Sequence, residues 1–207
     1  MVLRVRRALH TQGAGHTGTL DPAATGLLAV CLGDALKIQR WLAEGDKAYQ
    51  ATVAFGAATD TEDATGQVTG RGDPSALDEA ALRAALPALT GELRQVPPMY
   101  SAVRVGGRRL HEAARAGEAV EREPRAVVVH ALTLDGLDPV GPDGLRLARL
   151  SVRCGKGTYV RTLAADLGAA LGVPAHLAAL RRTEAGRFRV DQALPLAEVE
   201  ALAARGK

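Results

Sequence analysis

At 207 residues, 47% of them hydrophobic, the chain is long enough to bury a sizeable core and too apolar to be disordered. No run of about 18 apolar residues occurs, and Met1–Arg7 lacks the apolar centre of a signal peptide, so neither a membrane span nor export is expected. Cys31 and Cys154 lie far apart without metal-ligand spacing, which fits a reducing cytoplasm and argues against a zinc or iron–sulfur site.

The net charge is only +3, but arginine far outnumbers lysine and is unevenly placed. Arg4, Arg6 and Arg7 open the chain, Arg104, Arg108 and Arg109 sit together, and Arg181, Arg182, Arg187 and Arg189 form a late cluster opposed by Glu184. Acidic residues gather instead at Asp60–Asp63 and near Asp78 and Glu198. Such segregation suits a basic face for a polyanion; a codon usage that favours arginine everywhere is the plainer account.

In chain order, the first telling segment is Gly15-His16-Thr17-Gly18-Thr19-Leu20-Asp21-Pro22-Ala23-Ala24-Thr25-Gly26. Its glycines and Pro22 make a poor helix interior or central strand, so it is expected to be an irregular loop that fixes Asp21. A held carboxylate on a shaped loop is a usual seat of chemistry; a tight turn with an Asx-type bond is the alternative. Residues 49–55 alternate as a half-buried strand. Residues 75–86 carry a helical pattern after a Ser75 cap, limited by Pro87. The proline-flanked, charged stretch 97–125, with one short helical piece near 109–116, reads as an arm inserted into the sheet. Residues 127–132 are another strand. So are residues 145–154, where a phase slip at Ala148-Arg149 predicts a β-bulge. A hairpin-like turn is expected at 139–144. Residues 158–171 switch to helical spacing and stop at Gly172 and Pro174. The mixed order predicts an α+β fold with a mainly antiparallel sheet.

Lys47-Ala48-Tyr49 opens a strand, and Cys154-Gly155-Lys156-Gly157-Thr158-Tyr159-Val160-Arg161-Thr162 turns a strand into a helix whose N-terminus is a natural anion seat. Ala175-His176-Leu177-Ala178-Ala179-Leu180-Arg181-Arg182-Thr183 follows. With the Asp21 loop, these segments closely resemble the bacterial tRNA pseudouridine synthases that modify uridine-55 in the T-loop. The stretches Pro97–Arg104, Arg109–Gly117 and Val120–Arg125 match the same family, so the resemblance runs from about His16 to about Arg187.

The resemblance implies residue roles. Asp21, in the family's GHxGxLDP loop, is the catalytic carboxylate; Tyr49 stacks on the target base; and Arg161 of the KGTYxR segment pairs with the aspartate. His16 helps hold the flipped-out RNA, Leu180 is an apolar contact, Tyr159 belongs to the substrate-binding set, and Lys37 touches RNA backbone. Without it, Tyr49 and Leu180 read first as core, Arg161 could simply face solvent on its helix, and His111, His130 and His176 carry no chemistry. Pseudouridine formation breaks the N1–C1′ bond, turns the uracil and rejoins it through C5, with no redox step, so neither cofactor nor metal is implied.

Members of the family normally begin further upstream, with a strand and a Lys-Pro-x-Gly-x-Ser/Thr segment, so the resemblance implies a chain that is short at its N-terminus, and residues 194–207 leave no room for the family's small C-terminal RNA-binding (PUA) domain. The expectation is one catalytic domain over 1–207 that acts as a monomer on the tRNA T-arm stem-loop, with no obligate protein partner and no membrane. An alternative is a tRNA-elbow binding and folding chaperone with impaired catalysis, and a weaker third is a guide-RNA-dependent relative.

Overall fold

The computed structural model describes residues 1–101, 103–118 and 120–205; the side chains of Arg109, His111 and Arg115, which fall in the expected arm, lie outside that description. In chain order the elements are α1 (Val2–Ala8), β1 (Ala14–His16), β2 (Thr25–Gly26), β3 (Val30–Leu32), a 3-10 helix (Gly33–Ile38), α2 (Gln39–Ala43), β4 (Lys47–Phe55), β5 (Ala57–Thr59) and β6 (Val68–Arg71). There follow α3 (Glu79–Ala85), a 3-10 turn (Leu86–Leu89), β7 (Gly91–Gln95), β8 (Arg104–Val105), β9 (Arg108–Arg109), α4 (Leu110–Arg115), β10 (Arg125–Val140) and β11 (Arg146–Cys154). The chain closes with α5 (Val160–Ala170), β12 (Ala175–Ala185), β13 (Phe188–Arg189), a 3-10 turn (Val190–Gln192) and α6 (Leu196–Arg205). It divides into two compact units: Gln50–Leu180, and Met1–Tyr49 with Arg181–Lys207.

The Gln50–Leu180 unit is a mixed α+β body whose sheet places β12, β4, β11, β10 and β7 side by side. Alternation drives β4: Ala51, Val53 and Phe55 fall on the buried side, and each large apolar side chain so buried stabilises by about 1.5–3 kcal/mol. On α5, Val160, Leu163, Ala164 and Leu167 repeat at helical spacing and are all buried, and Gly172 (φ +66°) ends the helix as expected.

The expected bulge on the 145–154 strand is corrected. Ala148, Leu150, Val152 and Cys154 keep one phase on β11, all buried. The extra residues belong to β10, whose register against β11 jumps between Val129 and Ala131, between Leu134 and Gly136, and again between Leu137 and Val140. That is why the buried positions of β10 change from Val127 and Val129 to Leu132 and Leu134. The β10–β11 hairpin turns at Gly144 (φ +76°), as expected.

Two further expectations change. The helix after Pro74 starts later, because Asp78 caps it by accepting from Ala81 N–H at 2.7 Å, while Ser75 is held in a separate turn by Asp73. The 97–125 arm holds a hairpin as well as its helix. Arg104–Val105 pair with Arg108–Arg109 across Gly106-Gly107, both at positive φ, the conformation that a two-residue turn demands. Arg122 donates to Pro97 O at 2.9 Å and ties the base of the arm together.

The other unit buries little: Val5, Leu27, Cys31, Tyr49 and Ala185 are its buried apolar side chains. Here α1 lies against α6 and β1, with Arg4 and Glu200 paired at 2.8 Å. Beta-13 returns on the end of β12, matching Glu184 with Arg189. Among the described residues no helix is long and apolar enough to cross a membrane.

Candidate active site

The Asp21 loop is closed from below by a short antiparallel ladder in which Gly15 faces Cys31 and His16 faces Val30. Thr17 N–H adds a rung to Ala29 O at 3.1 Å. His16 therefore ends a strand rather than sitting in the loop. Beyond that rung, Asp21 O accepts from Ala24 N–H at 2.9 Å, folding a turn over Pro22-Ala23 with proline where its fixed φ is welcome. The chain then runs parallel to β12, with Thr25 opposite Arg181 and Gly26 opposite Arg182, and Leu27 N–H donates to Arg182 O at 2.8 Å. Asp21 itself is half-buried.

Arg182 fills the loop. Its guanidinium donates to Leu27 O from Nε (2.8 Å), to Thr19 O from Nη1 (3.1 Å) and to Gly18 O from Nη2 (3.2 Å), and the residue is only 2% exposed. This corrects its placement in a surface cluster of cations. Of the others in that cluster, Arg189 reaches Glu184 at 3.0 Å and Asp191 at 3.4 Å, and Arg187 lies over the Phe188 ring. The signal was present: adjacent arginines in mid-strand must point to opposite faces, and one of those faces is interior.

In the same unit, His16 O accepts from Gln39 Nε2 at 2.7 Å, and His16 Nδ1 is buried with no hydrogen-bond partner among the described residues. Lys37 is exposed on the 3-10 helix and pairs with Asp34 at 2.7 Å, a solvent-screened contact of little energetic weight. Tyr49 is buried on the inward row of β4, at 9% exposure.

In the Gln50–Leu180 unit, β11 runs into Gly155–Thr158, with Gly157 at φ +81° and Thr158 Oγ1 donating to Gly155 O at 3.1 Å. Tyr159 is the N-cap of α5. The buried Gln95 holds it, accepting from Tyr159 N–H at 3.0 Å and donating to Tyr159 O at 3.2 Å. One helix-start amide of the expected anion seat is thus engaged by a side chain. Arg161 does not face solvent. It is 4% exposed and donates to Thr61 O at 3.0 Å and Tyr100 O at 3.1 Å, with Asp63 Oδ2 at 3.6 Å. Leu180 is half-buried on β12.

The acidic concentration at Asp60–Asp63 is likewise an internally bonded loop rather than a solvated patch. Asp63 Oδ1 accepts from Thr61 Oγ1 (2.8 Å), Thr65 N–H (2.9 Å) and Thr65 Oγ1 (2.6 Å). Burial alone would raise the Asp63 pKa, but these bonds and the Arg161 charge outweigh it and hold the carboxyl below its ordinary range. Glu62, at φ +63°, accepts from Thr162 Oγ1 at 2.7 Å. Its pKa is raised, chiefly by burial and secondarily by Asp166, against the pull of the Thr162 bond, Arg161 and Arg122. Gln95 is not singled out by sequence reasoning, and Arg182 and Asp63 enter it only as members of charge clusters, one in each unit.

The fold is a mainly antiparallel α+β body, with Asp21 on a stapled loop in one unit and Arg161 buried at a strand-to-helix turn in the other. Residues 6–160 match the N-terminal domain of the TruB family pseudouridylate synthases, and residues 161–207 match the C-terminal domain of tRNA pseudouridylate synthase B. The chain belongs to the TruB family. It is 52% identical over 202 residues to tRNA pseudouridine synthase B of Aromatoleum aromaticum, covering 98% of this chain and 63% of that protein. With the same-named protein of Symbiobacterium thermophilum it shares 51% over 205 residues, covering 99% of this chain and 68% of that one. With that of Listeria innocua it shares 44% over 200 residues, covering 96% and 66%. The chain thus spans about two-thirds of the length of these curated relatives. Among solved structures, the archaeal box H/ACA sRNP Nop10-Cbf5 complex superposes with a TM-score of 0.68 at 27% identity, covering 98% of this chain and 48% of that one. A Cbf5-Nop10-Gar1 complex gives 0.66 at 28%, covering 91% and 45%.

Proposed function

We propose that this chain isomerises uridine-55 in the T-loop of tRNA to pseudouridine, acting over residues 1–207 as one catalytic domain. The reaction breaks N1–C1′, forms C5–C1′, releases the C5 proton and returns a proton to N1. It needs an ionised carboxylate at the sugar or base, a cation that keeps it ionised, and a stacking surface for a nucleotide taken out of its helix. The reading assigns these parts to Asp21, Arg161 and Tyr49, with His16, Lys37, Tyr159 and Leu180 binding RNA. The observation that carries it is the loop itself: Asp21 stands in a backbone closed by the Thr17–Ala29 rung and stapled by Arg182, so the carboxylate is presented from a preset frame. The naming of the relatives as tRNA pseudouridine synthase B supports the choice of substrate.

The test is tritium release from 5-tritiated uridine in an unmodified tRNA transcript, with Asp21→Asn as the comparison. The expected result is release by the parent and none by Asp21→Asn, with RNA binding kept. Release by Asp21→Asn at the parental rate would remove Asp21 from the chemistry, and binding without release by the parent would favour the RNA-chaperone reading.

A further inference from the structure

We infer that Arg182 is the positioning residue of the Asp21 loop, setting where the carboxylate stands without touching RNA or the reacting atoms. The inference rests on the reading of Asp21 as the catalytic carboxylate.

Three observations carry it. First, the three acceptors lie on both sides of Asp21: Gly18 O and Thr19 O just before it, Leu27 O after it. One rigid, planar group therefore fixes the distance between the incoming and outgoing arms of the loop. Second, each acceptor takes a different nitrogen of the fork, a geometry that guanidinium supplies and the point charge of an ammonium does not. Third, Arg182 is 2% exposed, so its charge is met by carbonyl dipoles rather than by water. A buried cation is costly unless its donors are met, and here each guanidinium nitrogen finds a carbonyl; an apolar side chain of similar volume would leave those three carbonyls without that partner. The backbone repeats the arrangement, since Arg182 lies opposite Gly26 and accepts from Leu27 N–H at 2.8 Å. Gly26, at φ +95°, could not carry a Cβ without striking Arg182's own backbone. Main chain and side chain of one residue thus grip the same loop twice.

The consequence for chemistry is specific. A carboxylate displaced by about 1 Å loses on the order of 100-fold in rate while substrate contacts made elsewhere persist. Arg182→Lys and Arg182→Ala in the full chain, beside Asp21→Asn, separate the alternatives when tritium release, binding of the transcript and Tm are measured together. The expected result for Arg182→Lys is a kcat about 100-fold lower, with the Kd for the transcript nearly unchanged. Methylguanidinium, added below denaturing concentration, is expected to restore release to Arg182→Ala and not to Asp21→Asn. A role in general stability alone would show neither the split between kcat and Kd nor that selective rescue. Arg182→Lys turning over at the parental rate would overturn the inference, as would RNA binding that falls in step with kcat. Variants that unfold and are not rescued would also overturn it, in favour of a requirement for folding. Release by Asp21→Asn would instead sink the underlying assignment, so the two failures are distinguishable.

Discussion

The side chain of Gln95 is joined twice to the backbone of Tyr159, accepting from its N–H at 3.0 Å and donating to its carbonyl at 3.2 Å. Gln95 is the last residue of β7, and Tyr159 is the residue from which α5 starts. A single amide therefore ties the end of one strand to the first turn of the helix that carries Arg161. Replacing it by Gln95→Leu keeps the bulk and leaves Tyr159 N–H without its partner, while Tyr159 O still accepts from Leu163 N–H at 3.1 Å, and should cost about 1–2 kcal/mol. Urea denaturation measures this directly; an unchanged midpoint with an unchanged slope would show that the clamp contributes nothing.

Gly26 and Gly144 test the stapled loop against a bare turn. Both sit at positive φ, but a Cβ on Gly26 meets the backbone of Arg182, whereas one on Gly144 meets nothing within 4 Å. Gly144→Ala should cost only the conformational term, about 1 kcal/mol, and Gly26→Ala clearly more, about 3 kcal/mol, because backbone must move. Equal losses in thermal unfolding of the two variants would mean that the Gly26 segment yields freely and that the loop is not a fixed frame.

Much of this was legible in the chain because it rests on local rules. Glycine and proline around Asp21 announced irregular backbone, alternation from Tyr49 to Phe55 announced β4, and helical spacing from Val160 to Leu171 with Gly172 announced α5. What escaped depends on partners distant in sequence. Arg182 reads as surface charge in the sequence because its acceptors lie about 160 positions earlier, and carbonyl oxygens leave no mark there. Gln95 escaped for the same reason, since its partner is backbone. The apolar Leu145 and Leu147 suggest an inward row that slips at Ala148-Arg149, whereas the small Ala148 is the buried residue and the bulges lie in β10. Residue type suggested which side chains do chemistry, but not which ones hold them.

The start of α3 gives a paired test. Asp78 caps the helix through Ala81 N–H, and Ser75 belongs to the preceding turn through Asp73. Asp78→Ala should cost about 1 kcal/mol of stability, while Ser75→Ala, an exposed change away from the helix end, should stay within about 0.5 kcal/mol. The reverse order in chemical denaturation would restore Ser75 as the cap.

Glu62 makes a prediction whose sign is set by its surroundings. Burial raises its pKa from the ordinary 4.5, Asp166 adds to the rise, and the Thr162 bond, Arg161 and Arg122 oppose it without cancelling it. A folded-state pKa above the unfolded one means that the folded chain binds this proton more tightly. Ionising Glu62 therefore lowers stability progressively as pH rises from about the unfolded pKa through the raised folded one, and the loss is complete above it. Asp63 works the other way: its lowered pKa contributes stability above its ordinary 3.8 that is lost as pH falls through the folded value. Asp166, raised by burial, follows Glu62 in sign and is present in both chains to be compared. Glu62→Gln removes the buried charge, and its amide oxygen can still accept from Thr162. The Tm difference between Glu62→Gln and the parent should therefore be near its minimum at about pH 4 and move in favour of the variant as pH rises toward about 7. Thermal melts across that range measure it, and a difference that stayed flat or moved toward the parent with rising pH would show that Arg161 and Arg122 stabilise the carboxylate more than burial penalises it.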